Sequence, residues 1–329
     1  MSMYDRILGH DNIIAQLKNA TSQNTVSHAY IFNGEDGSGK KMVATAFAEA
    51  LLCEKGGECG CGKCHNCVQT ASGNNPDLVW VTPEKPTVIG VDDVREQLVN
   101  DIQIKPYNCG RKVYIIDAAE KLNTAAQNAI LKTIEEPPEY AVIIFLTNNS
   151  DIFLSTIISR CVVFNFKPLR DNAVMEYLIR EYRIPEYEAK MCASYAQGKL
   201  GRAINLVNSS EFGSIKDEAM QLVKNMYKYE VIDLVESIKR VSKYKINITD
   251  FIDILEMWYR DVLLFKVTRD VNNLIFSDEI NDIRKQASHS SYEGLENILN
   301  GCEIAKTRLN ANVNFDLAME LMLLNIKEN

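Results

Sequence analysis

The chain has 329 residues, 46% of them hydrophobic and 24% charged, which is the makeup of a folded protein with room for two or three cores and excludes a disordered one. Its 44 acidic residues outnumber 36 basic ones for a net charge of −8, so bulk electrostatics do not draw it to nucleic acid, although a local basic path inside an assembly is compatible with that balance. The N-terminal residues are charged and no apolar run approaches the roughly 18 residues of a membrane span, so a cytoplasmic protein with no membrane partner is expected.

The first predicted unit is strand, loop, helix. "HAYIFNG" (28–34) runs apolar into glycine, and "KMVATAFAEALLC" (41–53) follows with helical spacing and good helix formers. Between them "GEDGSGKK", Gly34 to Lys41, nearly completes the phosphate-binding pattern G-x-x-x-x-G-K-[ST]. Glycines let backbone wrap phosphates, the Lys meets the terminal phosphates and the hydroxyl holds Mg²⁺. Gly34, Gly37, Ser38, Gly39 and Lys40 fit; Lys41 stands where the hydroxyl belongs and cannot take its place on the metal.

Five of the nine cysteines crowd between Cys53 and Cys67, a pattern that reads as metal before disulfide in a chain without a secretory leader. Cys61, Cys64 and Cys67 are spaced C-x₂-C-x₂-C, and tetrahedral Zn²⁺ wants one more thiolate, from Cys53 or Cys59. Cys53 is preferred because it ends the helix after the loop and pins the knuckle to the domain. His65, crowded between cysteines, is disfavoured. Four protein ligands make the site structural.

Further apolar runs at 77–83, 112–117, 140–148 and 161–166 alternate with helical stretches such as 124–136. Continuous apolar strands between helices predict a parallel sheet covered on both faces. "VYIIDAAEKLN" ends one strand at Asp117, the position that reaches Mg²⁺ in an ATPase, but Ala118 stands where a water-polarising acid belongs. Glu120, three residues on, is expected to point to solvent or a neighbouring helix. Two catalytic parts missing from one site favour lost hydrolysis. "STIISRCVVF" puts Arg160 between a short helix and a strand, ordinarily a surface charge or helix cap.

After 166–169 the strand signals stop and helices are predicted at 171–182, 186–197, 201–207 and 248–268. In the last of these Ile248, Phe251, Ile252, Leu255, Trp258, Tyr259 and Val262 mark one face. The glycines of "QGKLGRA" and the polar "NSSEFGS" predict breaks near 200 and 210. The expected organisation is an α/β domain over 1–166 with an inserted knuckle at 53–67, a short helical domain over 167–208 and an all-helical domain over 209–329.

"HAYIFNGEDGSGK", the cysteine knuckle, "VYIIDAAEKLNTAAQNAILKTIEEPP", "FLTNN", "SRC", "GRAINL" and "NANVNFDLAMELMLL" occur in the order seen in the clamp-loader branch of AAA+ proteins, and the chain resembles that branch over essentially its whole length. The lost hydroxyl and the missing acid after Asp117 resemble the delta prime type of bacterial DNA polymerase III subunit, rather than the gamma/tau motor. The resemblance implies an α/β AAA+ P-loop domain with a parallel sheet, a small helical lid and an all-α collar. It implies a non-hydrolysing stator in a ring with gamma/tau and delta subunits that places the sliding clamp on primer–template DNA. The chain would then be no enzyme alone, but part of a holoenzyme with DNA-directed DNA polymerase activity. Arg160, in Ser159-Arg160-Cys161, is implied as an arginine finger acting in trans, and Asn148 and Arg202 as the two nucleotide sensors, which leaves ATP binding without turnover open.

Two rival readings compete with this one. One is an ATP-hydrolysing gamma/tau-like motor with an unusual Mg²⁺ site. The other is a zinc-knuckle nucleic-acid binder with a relic P-loop, against which stand the acidic charge and the single nearby stacking candidate, Trp80.

Overall fold

Strands without polar alternation suit a sheet covered on both faces. Five of them, β1 (Ala29–Asn33), β2 (Leu78–Val81), β3 (Lys112–Ile116), β4 (Ala141–Thr147) and β5 (Val162–Asn165), form one parallel sheet in the order β2-β3-β4-β1-β5. The structure is a computed structural model and describes residues 3–83, 88–243, 248–311 and 313–329. It divides into two units, Met1–Ala173 with Gly198–Gly201, and Val174–Gln197 with Arg202–Asn329.

In the first unit the sheet separates two cores. Tyr30 and Phe32 of β1 pack with Val43 and Phe47 of α2 (Lys40–Leu52), beside α1 (Asp11–Ser22). Ala29 and Ile31 face the other way, toward Val94 of α4 (Val91–Val94), Leu98, and Ile130 of α5 (Thr124–Glu135). Each large side chain so buried contributes about 1.5–3 kcal/mol. The third helix, α3 (His65–Ala71), belongs to the cysteine segment. Asp77, fully buried, sets the entry to β3 by accepting the backbone N–H groups of Tyr107, Asn108 and Cys109 at 2.7, 2.9 and 3.0 Å.

Helices fill the rest of the chain: α6 (Ser155–Ile158) in the α/β unit, then α7 (Asp171–Tyr182), α8 (Glu186–Ala196), α9 (Leu200–Asn208), α10 (Ser210–Asn225), α11 (Val231–Val241), α12 (Ile248–Thr268), α13 (Ile280–His289), α14 (Tyr292–Asn310) and α15 (Phe315–Glu328). The face read from the sequence of α12 is the buried one. Its Trp258 donates to Gln286 Oε1 at 2.7 Å, and Gln286 donates on to the Val223 carbonyl at 2.7 Å. The break expected near 210 falls at Ser209, a single residue between α9 and α10. Ser209 caps α10 by accepting the Phe212 N–H, and Gly213 lies inside the helix, because a good N-cap outweighs one helical glycine. Near 200 the break is real: Gly198 has φ 76, and a Cβ there would lie 2.3 Å from the Leu169 carbonyl oxygen. Among the described residues no helix is long and apolar enough to cross a membrane.

Candidate functional site

Parallel strands bring the chain's phosphate loop, Asp117 and Asn148 to one edge, because all three follow the C-terminal ends of β1, β3 and β4. Gly34 donates to the Thr147 carbonyl at 3.0 Å and has no room for a side chain, since a Cβ would meet the Phe166 carbonyl oxygen at 2.6 Å. Gly37 and Gly39 adopt φ 78 and 94, which only glycine takes without strain, and turn the chain into α2. Lys40 is buried and donates to the carbonyls of Gly34 and Glu35. Burial pulls its ammonium below the usual lysine range, opposed by Asp36, Glu120, Asp117 and Glu35. Lys199 pairs with Glu35 at 2.6 Å and holds that carboxyl below its ordinary range.

Lys41 does more than fail as a hydroxyl. Its Nζ lies 3.1 Å from Asp117 Oδ2 and 4.8 Å from the centre of the Trp80 ring, while Asp117 Oδ1 accepts the Ala118 N–H at 3.0 Å. Both oxygens of the carboxylate expected on Mg²⁺ are thus engaged by the chain itself. That pair does not fit a divalent ion, which would face the ammonium directly. Glu120 corrects the expectation from its spacing. Ala118 is left-handed (φ 50), which turns the chain back so that Glu120 Oε2 accepts the Asn148 N–H at 3.3 Å and acts on Lys40. Asn148 is therefore tied by its backbone to the loop that carries Asp117.

Arg160 is at the other edge. Val162 of β5 aligns with Tyr30, near the start of β1, so Arg160 precedes the strands where the phosphate loop follows them. At about 3.3 Å per residue, the five residues of β1 separate the two by roughly 17 Å. Arg160 Nη1 donates to the Thr156 carbonyl at 2.9 Å and Nη2 lies 3.1 Å from Glu135 Oε1, with the pair 39% and 46% exposed. Glu135, at the end of α5, was missed from sequence; nothing in the spacing links it to residue 160. Gln127, buried one face away on α5, donates to the carbonyls of Leu122 and Ile152 and accepts the Leu154 N–H, fixing the turn from which α6 and Arg160 project.

The sulfurs of Cys53, Cys61, Cys64 and Cys67 lie within 4.8 Å of one another, and Cys59 is outside the cluster. Cys61 and Cys67 are 3.9 Å apart, close to the edge of about 3.8 Å that tetrahedral thiolates at about 2.3 Å from Zn²⁺ require. Backbone N–H groups of Cys61, Cys64 and Cys67 point at the sulfurs of Cys53, Cys61 and Cys64 at 3.4, 3.3 and 3.4 Å. The N–H groups of Lys63 and Cys64 pull the Cys61 thiol down to about 6, whereas burial raises those of Cys53 and Cys67. The donor set fits zinc, and Cys53, at the C-terminus of α2, is the fourth member of the cluster.

Arg202 belongs to the helical unit. It pairs with Asp253 at 2.9 Å and Asp250 at 3.5 Å, and its guanidinium lies 4.5 Å from the centre of the Tyr195 ring. Lys306 bridges Asp253 and Glu256 in the same cluster.

Comparison with known proteins matches residues 9–170 to the family described as DNA polymerase III, delta subunit, and residues 216–328 to DNA polymerase III, delta subunit, C terminal. The chain is 28% identical to the DNA polymerase III subunit delta' of Bacillus subtilis, over 96% of this chain and 95% of that protein. It is 30% identical to the gamma subunit of Buchnera aphidicola subsp. Baizongia pistaciae, over 83% of this chain and 68% of that one. It is 27% identical to the tau subunit of B. subtilis, over 87% of this chain, but spans only 54% of that protein.

Proposed function

The chain belongs to the DNA polymerase III clamp-loader family, and we propose that within it the chain is the delta-prime-like stator, which does not hydrolyse ATP and lends Arg160 to the nucleotide of an adjacent motor subunit. The observation that carries this reading is the position of Arg160 on the sheet edge opposite the chain's own phosphate loop, half-exposed and held by a single exposed carboxylate. A guanidinium placed there is out of reach of the chain's own loop and is suited to a phosphate brought by another chain, where it neutralises charge building on the transferred phosphoryl group. The chain's own loop is unsuited to turnover: Lys41 engages Asp117, and Ala118 offers no base.

In this reading the gamma/tau and delta subunits are the partners, the sliding clamp and primer–template DNA are reached through the complex, and the work is cytoplasmic. Residues 167–208 act as the lid and 209–329 as the collar. Leu317 and Leu321, one turn apart on α15 and 50% and 44% exposed, are suited to burial against partner helices. The Cys53, Cys61, Cys64 and Cys67 cluster holds one structural Zn²⁺. Zinc uptake at neutral pH should then release protons from Cys53 and Cys67, whose thiols burial keeps protonated. Metal-free protein after purification without chelator would remove the zinc from the reading.

The test is reconstitution with gamma/tau and delta partners, followed by DNA-stimulated ATPase. Arg160→Ala should assemble normally and slow turnover at the site it serves by up to about 10³. The second reading, a gamma/tau-like motor, draws on the similarity to gamma subunits. Turnover by the lone chain that Lys40→Ala abolishes would replace the stator with it.

A further inference from the structure

A phosphate loop normally completes itself with a borrowed ion, Mg²⁺, held by the hydroxyl after the lysine and by the carboxylate at the end of the neighbouring strand. Here those two positions hold each other. Lys41, the second residue of α2, puts its ammonium 3.1 Å from Asp117 and over the Trp80 ring of β2, while the other Asp117 oxygen is taken by the Ala118 N–H. The cation is therefore covalently part of the chain, oriented by a carboxylate on one side and an aromatic face on the other.

The anion-binding parts beside it remain. Gly37 and Gly39 keep the loop conformation, and Lys40 donates its hydrogen bonds to the Gly34 and Glu35 carbonyls, which phosphate oxygens can replace as acceptors. Ser38, in the middle of the loop and 4% exposed, has no partner for its hydroxyl among the described residues. Lys41 itself is 65% exposed, so it can turn from Asp117 toward a phosphate without leaving its place at the head of α2.

We propose that this loop is a metal-independent polyphosphate site, which takes a nucleoside di- or triphosphate with Lys41 Nζ standing where the divalent cation would. The inference rests on the reading of a nucleotide site without turnover and gives it a ligand form: the free polyphosphate anion, not its magnesium complex. Mg²⁺ then competes with the protein for the ligand, because an ion already on the terminal phosphates meets the Lys41 ammonium.

Calorimetric titration of the full chain with ATP and with ADP, in EDTA and again with Mg²⁺ in excess of nucleotide, tests this. Binding in EDTA should be at least as tight as in Mg²⁺. Lys41→Thr, which restores the hydroxyl and frees Asp117, should weaken binding in EDTA by about tenfold or more and recover it when Mg²⁺ is added. The melting temperature of Lys41→Thr, expected near that of the parent because the exposed pair it breaks contributes little, reports that the variant folds. ATP binding by the native chain that requires Mg²⁺, or none under either condition, would overturn the proposal. Absence of binding leaves the role of Arg160 standing, whereas magnesium-dependent binding with turnover by the lone chain removes both.

Discussion

The two edges of the one parallel sheet hold opposite kinds of cation. At the C-terminal edge Lys40 is buried on loop carbonyls, so its charge is retained inside the chain, while Lys41 sits exposed on Asp117. At the N-terminal edge Arg160 touches one half-exposed carboxylate, Glu135, and two oxygens of its own turn. An exposed ion pair of this sort is worth about 0–1 kcal/mol, little enough for a phosphate to displace it. Burial thus separates Lys40, a cation that is kept, from Arg160, one that can be lent.

The contrast can be broken most directly at Arg160. Arg160→Ala should cut DNA-dependent ATPase at the neighbouring site by up to about 10³, with its own melting temperature nearly unchanged; a loss of that size from Lys40→Ala instead would invert the two edges. Next in size is Gln127→Leu, which leaves the Leu122 and Ile152 carbonyls and the Leu154 N–H without their partner. About 2–4 kcal/mol of stability should go, read by denaturant unfolding. Arg160-dependent turnover should fall with it while nucleotide affinity at the chain's own loop stays the same. Glu135→Gln removes only the exposed carboxylate charge and should shift stability by less than about 0.5 kcal/mol and turnover by less than about threefold. The smallest effect belongs to Lys40→Ala assayed in the assembled complex, where ATPase should change by less than about twofold if, as proposed, the loop it serves does not turn over ATP. A monotonic series in that order sharpens the comparison; any reversal between its ends dissolves it.

Most of the fold was legible because its signals are local. Strands buried on both faces read as unbroken apolar runs, and the C-x₂-C-x₂-C spacing named three of the four clustered cysteines outright. Cys53 was chosen over Cys59 because a helix end is a fixed point, and the structure has it in the cluster. The misses share a different cause. Glu120 was misdirected because a left-handed Ala118 is invisible in sequence, alanine being an improbable residue for that conformation. Lys41 with Asp117, and Arg160 with Glu135, are joined across 76 and 25 positions by sheet order and helix ends, so no window along the chain contains them. The polar run at 208–214 marked a break that falls at Ser209, where one capping serine starts the next helix.

Opposite ends of β1 and β5 also give the protein a direction. On the proposed reading, each member of the assembly offers an arginine from one edge and receives one at the other, which is a head-to-tail contact that repeats until something stops it. On the same reading this chain would keep a giving edge at Arg160, while at its receiving edge the Lys41–Asp117 pair would leave nothing for a neighbour's arginine to accelerate. On that reading it would stand next to a motor without being one, so a row of firing sites would have a built-in last position, and a closed circle of otherwise similar subunits would acquire a seam.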